Sequence, residues 1–187
     1  EEADQAVLSF SKLLRKSFAS QQKFISIKEE MDMVEEYLEL MSLRYKNKFQ
    51  WKMVIEYETG ALGILKNLIQ PLVENSISHG FNTKEEQGHI WIRAYSRNDK
   101  VIIEVEDDGV GADLERIKTC IESREVPQVK EQFSGIGISN IQMRIKRNFG
   151  EKYGLYVFLN EKGGTTFQVE IPVLHLEGEK SEGCNCR

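Results

Sequence analysis

Cysteine is scarce in this chain, with three among 187 residues. Cys120 stands alone and Cys184 and Cys186 fall in a polar tail, so there is no framework of disulfides of the kind that staples small secreted domains. The lone C-x-C reads as incidental rather than as a metal site. No apolar run approaches the roughly 20 residues that a membrane-spanning helix requires, and no signal peptide is visible. If the parent protein is membrane-bound, its spans lie outside this sequence. Positive charge is also short: the formal net charge is −5 and the basic groups are scattered. Without a basic stripe to replace counterions, nucleic acid is not expected as a partner. Internal repeats are absent. What remains is 40% hydrophobic content, enough for one full core with an appended helical element.

Apolar periodicity divides the chain. Val7, Phe10 and Leu14 mark the end of a helix at residues 6–17, followed by the polar link Ala19-Ser20-Gln21-Gln22. Ser26 followed by Glu29 is a capping box, and Ile27, Met31, Val34, Leu38, Met41 and Tyr45 alternate by four and three in a seam of coiled-coil type. Such a seam takes the first helix or a second copy of the chain as partner, or packs on its own domain. Beyond Gln50, strands at 51–58, 88–96, 100–107, 154–160 and 165–173 intersperse with helices at 62–79, 113–122 and 138–149. This order predicts an α+β fold, a two-layer sandwich whose mixed sheet is covered on one face by helices. The expected organisation is a helical segment at 1–48, the sheet domain at 49–175 and a disordered tail at 176–187. Pro71 kinks the helix at 62–79 or marks its late start.

Three stretches carry the chemistry: PLVENSISHG (71–80), EDDGVGAD (106–113) and SGIGISNIQMR (134–144). The alternating run Val101 to Glu106 reads as a half-buried strand, and Asp107 falls at its end. A carboxylate fixed there accepts hydrogen bonds only. Adenine offers it an exocyclic amino group, whereas guanine turns a carbonyl toward the same acceptor and leaves a buried group unpaired, at roughly 1–3 kcal/mol. Gly109 and Gly111 let the backbone bend beneath a flat ring, although an Asp-Gly pair by itself marks an ordinary turn as readily. Gly135 and Gly137 precede Ile138, Ile141, Ile145 and Phe149, which recur at helical spacing up to Gly150. A helix starting where those glycines end presents unpaired amides and a positive dipole end to phosphate oxygens. The stretch lacks the Gly-Lys-Ser/Thr ending of a P-loop, and a lone G-x-G also occurs at plain loop-to-helix junctions. On the helix at 62–79, Asn75 and His79 share one face and Glu74 points to its side. The Asn75 amide oxygen is a hard neutral ligand suited to magnesium that already holds phosphates, and His79 can hydrogen-bond a phosphate or pack beside the base. A polar helix face and a satisfied histidine are the plainer readings of the same residues.

Taken together, these motifs resemble the Bergerat-fold ATPases, the superfamily of gyrase, Hsp90, MutL and histidine kinases. Asn75 in PLVENSISHG matches their N box, Asp107 to Gly111 their first glycine box and Gly135-Ile136-Gly137-Ile138 their second. Within that superfamily the chain is most similar to histidine kinases of the LytS/YesM type. The second box there runs on into Asn140 and Arg144, and Gly163-Gly164-Thr165-Thr166-Phe167 matches the late Gly-Thr strand near the adenine. The segment IKEEMDMVEEYLELMSLRYKNKF (27–49) resembles the helix that leads into the catalytic domain. The resemblance covers nearly the whole chain. It implies an ATP-binding catalytic region that passes the γ-phosphoryl group, with Mg2+, to a histidine and thence to a response regulator. It implies a cytoplasmic domain of a bacterial membrane protein, dimeric through helices. Nucleotide contacts are implied for Asn75, Ser78, His79, Asp107, Gly109, Gly111, Ser134, Gly135, Gly137, Ile138, Asn140, Thr165 and Thr166. Asn75 is implied to hold the metal, and Glu74 is the candidate to orient or deprotonate the attacking imidazole.

Two features depart from that pattern. The P-H-F-x-x-N context of the acceptor histidine is missing, since the histidines are His79, His89 and His175. The acceptor is therefore expected upstream of Glu1, with this chain a fragment of a longer protein. The segment between Asp113 and Gly135 is short and charged, so a lid over the nucleotide is expected to be brief and mobile. Three other classes share the nucleotide boxes: an ATP-driven clamp of the gyrase or Hsp90 kind, a serine-kinase anti-sigma factor, and a non-catalytic ATP-binding dimerisation module.

Overall fold

In the computed structural model, residues 22–81, 87–122 and 134–176 are described. The expected helix at 6–17, the link at 19–21, the central part of the lid and the tail from residue 177 lie outside them. The elements, in chain order, are β1 (Phe24–Ser26), α1 (Ile27–Arg44), β2 (Phe49–Ile55), a 3-10 turn (Thr59–Ala61) and β3 (Gly63–Leu65). There follow α2 (Gln70–Asn75), running on as a π-helical turn (Ser76–Gly80), then β4 (Gly88–Arg97), β5 (Lys100–Asp107), α3 (Leu114–Glu122), α4 (Ser134–Phe149), β6 (Gly154–Leu159) and β7 (Thr165–Pro172).

The main sheet has five strands in the order β2-β4-β5-β7-β6. β2 pairs with β4 in parallel and the other neighbours are antiparallel, so the sheet is mixed as expected. Strand alternation sends Ile90, Ile92, Val101, Ile103, Val105, Phe167, Val169 and Ile171 to one face, where all are buried. Leu72, Val73 and Ile77 from the α2 region and Ile138, Ile141 and Ile145 from α4 cover that face. The opposite face carries charge: Arg93 bridges Glu104 at 3.0 Å and Glu106 at 2.7 Å, and Lys162 reaches Glu106 at 2.8 Å. Lys162 Nζ also sits 3.3 Å from the centre of the Trp91 ring, a cation over an aromatic face. Asn98 and Asp99, both at positive φ (52° and 58°), form the two-residue hairpin that sets the β4–β5 register.

Four expectations shift. The helix at 62–79 starts late, at Gln70, because Pro71 at its first turn has no N–H to bond and a φ already helical. Gly63–Leu65 instead forms a strand antiparallel to β1, pairing Phe24 with Leu65 and Ser26 with Gly63. The helix of the second glycine stretch begins at Ser134, four residues before Ile138, so Gly135 and Gly137 lie inside its first turn. Strand ends also move: β2 is Phe49–Ile55 rather than 51–58, and β4 extends to Arg97.

α1 does not stand apart from the sheet domain. Ile27, Met31, Val34 and Leu38 are buried in the same cluster as the sheet residues, with Met41 and Tyr45 packed at its edge. Among the described residues, these seam positions pack on the chain's own sheet domain. The capping box forms as read: Ser26 Oγ accepts from the Glu29 amide at 3.1 Å, and Glu29 Oε2 accepts from the Ser26 amide at 2.8 Å. Ser26→Ala is therefore expected to cost about 1 kcal/mol, measured as a lower urea midpoint at unchanged m-value.

Candidate functional site

Asp107 ends β5, and its side chain is 1% exposed. Three donors from three different elements hold the carboxylate. Ser76 Oγ, in the π-helical turn, donates to Oδ2 at 2.8 Å. The Gly109 and Thr165 amides donate to Oδ1 at 3.0 and 3.2 Å. Burial pushes the Asp107 carboxyl above its ordinary value, against the downward pull of the Ser76 hydroxyl and the two amides. Two oxygens offer about four acceptor positions, so the carboxylate retains capacity for another donor from the cavity it lines.

Backbone is packed tightly around this acid. A Cβ added to Gly109 would lie 2.5 Å from the Gly80 Cα, and one added to Gly164 would lie 2.0 Å from the Asp107 carbonyl oxygen. Those contacts require glycine. Asn160, in the β6–β7 turn, donates through Nδ2 to the same carbonyl at 2.7 Å while its Oδ1 accepts from the Gly164 amide at 3.0 Å.

The cavity beside Asp107 has a volume of about 270 Å³ and is lined by Asn75, His79, Gly80, Gly111, Ala112, Asp113, Ile117, Ile138, Thr165 and Phe167. Apolar side chains from α3, α4 and β7 thus share the cavity with the buried Asp107 carboxylate, the combination that fixes a flat polar ring by its edge and its faces. Asn75 stands on the rim with its amide oriented: Nδ2 donates to the Pro71 carbonyl at 2.7 Å, a pure acceptor, which turns Oδ1 the other way. α4 starts close by, since a Cβ at Gly137 would meet Pro71 Cβ at 4.0 Å. A second, larger cavity of about 950 Å³ opens there. It runs from Pro71, Gly137 and Asn140 along the basic flank of α4, past Arg144 and Arg147.

The family model for histidine kinase-, DNA gyrase B- and HSP90-like ATPases matches residues 61–175. The chain belongs to this family. A second model, for histidine kinases, matches residues 1–49. Sensor protein LytS of Staphylococcus saprophyticus is 29% identical over 192 residues, covering 100% of this chain and 31% of that protein. Sensor histidine kinase YesM of Bacillus subtilis is 32% identical, covering 89% of this chain and 27% of its own length. The chain therefore spans less than a third of these curated relatives. Among solved structures, the catalytic domain of histidine kinase ThkA superposes with a TM-score of 0.60 at 19% identity, covering 82% of this chain and 97% of that one. This likeness places the sheet and its helices in the histidine kinase catalytic fold.

Against that ATPase frame, the structure brings together Asn75, His79, Asp107, Gly111, Ile138 and Thr165 around one cavity, with Gly109 closing the backbone behind Asp107. Gly135 and Gly137 supply backbone to the start of α4, where Ser134 is the first residue. Other expected residues lie elsewhere. Thr166 projects from the opposite face of the sheet, level with Glu106 and Phe158, because neighbours on a strand alternate. Ser78 is exposed and its hydroxyl donates back to the Glu74 carbonyl at 2.7 Å. Asn140 lines the larger cavity. Glu74 is exposed and accepts from Gln70 Nε2 at 2.9 Å. It also acts on α1, where burial and then the Glu74 charge push the Tyr37 hydroxyl up. Thus Glu74 faces away from the Asp107 cavity.

Ser76, Gly80, Asn160 and Gly164 had no place in the sequence reading as site residues. Ser76 and Gly80 lie within the PLVENSISHG stretch itself, and a buried hydroxyl beside Asn75 carried a usable signal. Asn160 carried none, because its role depends on a turn bringing it back to β5. Replacing Gly164 by alanine drives a methyl group into the Asp107 carbonyl. The variant is expected to lose about 1–3 kcal/mol or more, read as a fall in the thermal midpoint of the chain.

Proposed function

We propose that this chain is the ATP-binding catalytic region of a two-component sensor histidine kinase. The observation that carries the reading is the buried Asp107 carboxylate, held by three donors and lining a cavity with apolar walls at Ile117, Ile138 and Phe167 and Asn75 on its rim, in a chain of this ATPase family. The histidine kinase model over residues 1–49 supports the kinase branch over a clamp or an anti-sigma factor.

Asp107 accepts the exocyclic amino group of adenine, and Ile117, Ile138 and Phe167 supply the apolar walls. A cavity of about 270 Å³ is sized for the nucleoside. The triphosphate leads out past Asn75 to the backbone amides of Gly135 and Gly137 at the start of α4. Among the described residues no group of three or more His, Cys, Asp or Glu side chains is placed to hold a metal ion. Magnesium therefore fits as an ion ligated mainly by phosphate and water, with Asn75 Oδ1 as the protein's oxygen. Bound Mg–ATP supplies the phosphoryl group. The protein's part is alignment and charge neutralisation. The acceptor histidine and the acid that assists it are assigned to a helical module upstream, since Glu74 turns toward Gln70 and Tyr37. From that histidine the phosphoryl group passes to an aspartate of a response regulator. The intact protein is a dimer through its helices, anchored in a bacterial membrane with this region on the cytoplasmic side. Among the described residues no helix is long and apolar enough to cross a membrane.

In Asp107→Asn the amide places a donor against the adenine amino group. Calorimetry with Mg–ATP is expected to show affinity lower by about tenfold or more, and GTP is expected to bind poorly to the unsubstituted chain. Tight GTP binding, or an unaffected variant, contradicts the Asp107 assignment. With labelled ATP, the chain is expected to phosphorylate a separately supplied histidine-bearing helical module and not itself. Acid-labile label on the chain alone would show that the acceptor is misplaced.

A further inference from the structure

Glu30 has no role in the site described above, yet it is a fully buried carboxylate, 0% exposed, in the first turn of α1 beside the buried Ile27, Met31 and Val34. Burying such a group is costly unless its oxygens are satisfied, and here they are satisfied by one short piece of backbone. Glu30 Oε2 accepts from the Asn67 amide at 2.9 Å, and Oε1 accepts from the Leu68 and Ile69 amides at 2.8 and 3.0 Å. These donors lead directly into α2, whose N-cap residue, Ile69, has no side chain able to cap them. Glu30 takes the amide of that N-cap residue and of the two residues before it, and so sets its negative charge at the positive end of α2.

The same loop is gripped from its other side. Arg144 of α4 donates to the Asn67 carbonyl at 2.7 Å and to the Lys66 carbonyl. Between the two clamps Asn67 holds φ at +56°, a left-handed conformation uncommon outside glycine. Glu30 therefore takes the amides and Arg144 takes the carbonyls of one segment, residues 66–69. That segment hands the chain to Pro71, whose carbonyl orients the Asn75 amide at 2.7 Å. Three helices meet at this loop: α1, α2, which carries Asn75, and α4, which carries the second glycine stretch. An apolar side chain would fill the Glu30 position without a desolvation cost, and buried charge is weak support for stability by itself. What the carboxylate adds is a fixed position for the loop.

We infer that Glu30 and Arg144 are positioning residues for the magnesium–triphosphate end of the site, acting on Asn75 through the loop at residues 66–69. The pair thereby ties α1, which lies within the segment matched by the histidine kinase model, to the ATP-binding domain. This inference rests on the reading of the site given above. At the nucleoside end two of the three donors to Asp107, the Gly109 and Thr165 amides, come from outside the α2 region and only the Ser76 hydroxyl rides on it, so a loosened loop acts more strongly on the triphosphate end than on the nucleoside end. Misplacement by about 1 Å is sufficient to cost on the order of 100-fold where alignment is critical.

The test uses calorimetry of the 187-residue chain with adenosine and with Mg–ATP. Glu30→Gln puts an amide donor against the backbone N–H groups, and Arg144→Lys replaces a two-pronged donor by a single ammonium. Each variant is expected to weaken Mg–ATP by about tenfold or more while adenosine stays within about twofold, and the double variant is expected to be no worse than the weaker single. If Glu30→Gln fails to fold, Arg144→Lys carries the same comparison. Equal losses for both ligands, or unchanged Mg–ATP affinity with only a lower melting temperature, overturn the inference alone. An unsubstituted chain that binds neither ligand overturns the reading of the site and this inference with it.

Discussion

Everything at the site converges on one buried carboxylate. Asp107 receives a hydroxyl from the turn after α2, an amide from the glycine that follows it and an amide from β7, while its own carbonyl is held by Asn160. A charge so far from solvent persists only where every approaching element brings a donor. Satisfying it therefore fixes the α2 region, the loop after β5 and the β6–β7 turn relative to one another. The apolar walls of the cavity are placed as a by-product.

The second constraint is steric. Gly109 closes on Gly80 and Gly164 on the Asp107 carbonyl to distances that no Cβ permits, and Gly80 lies against the Asp107 carboxylate. The π-helical turn Ser76–Gly80 belongs to the same arrangement, since its wider winding carries both the Ser76 hydroxyl and the Gly80 backbone to the acid. Sheet, helix and loop thus share a single point of contact, which the charged outer face leaves untouched.

Much of this was legible in the sequence because it is local. Alternation announced β5 and β7, helical spacing announced α4, and Ser26 with Glu29 announced the start of α1. Asp107, Asn75 and the glycine stretches stood out because their residue types match specific chemistry. Misreadings arose where a non-local partner decides the structure. Apolar spacing at 62–69 imitates a helix, yet β1 claims Gly63–Leu65 and Glu30 claims the amides of Asn67, Leu68 and Ile69. Thr166 was grouped with Thr165 by motif, although strand alternation alone sends it to the other face. Nothing in the residues near Glu30 reveals that it holds a loop amide 38 positions away along the chain. The seam on α1 was visible as a pattern, but a pattern does not name the surface it meets.

In the turn between β6 and β7, Asn160 holds the Asp107 carbonyl, while Lys162, two residues on, is moored on the charged face of the sheet by Glu106 and the Trp91 ring. In the proposed nucleotide site, an acceptor held in this way has little conformational entropy left to lose on binding a base, and the ordering that accompanies nucleotide capture is left to the polyanionic end.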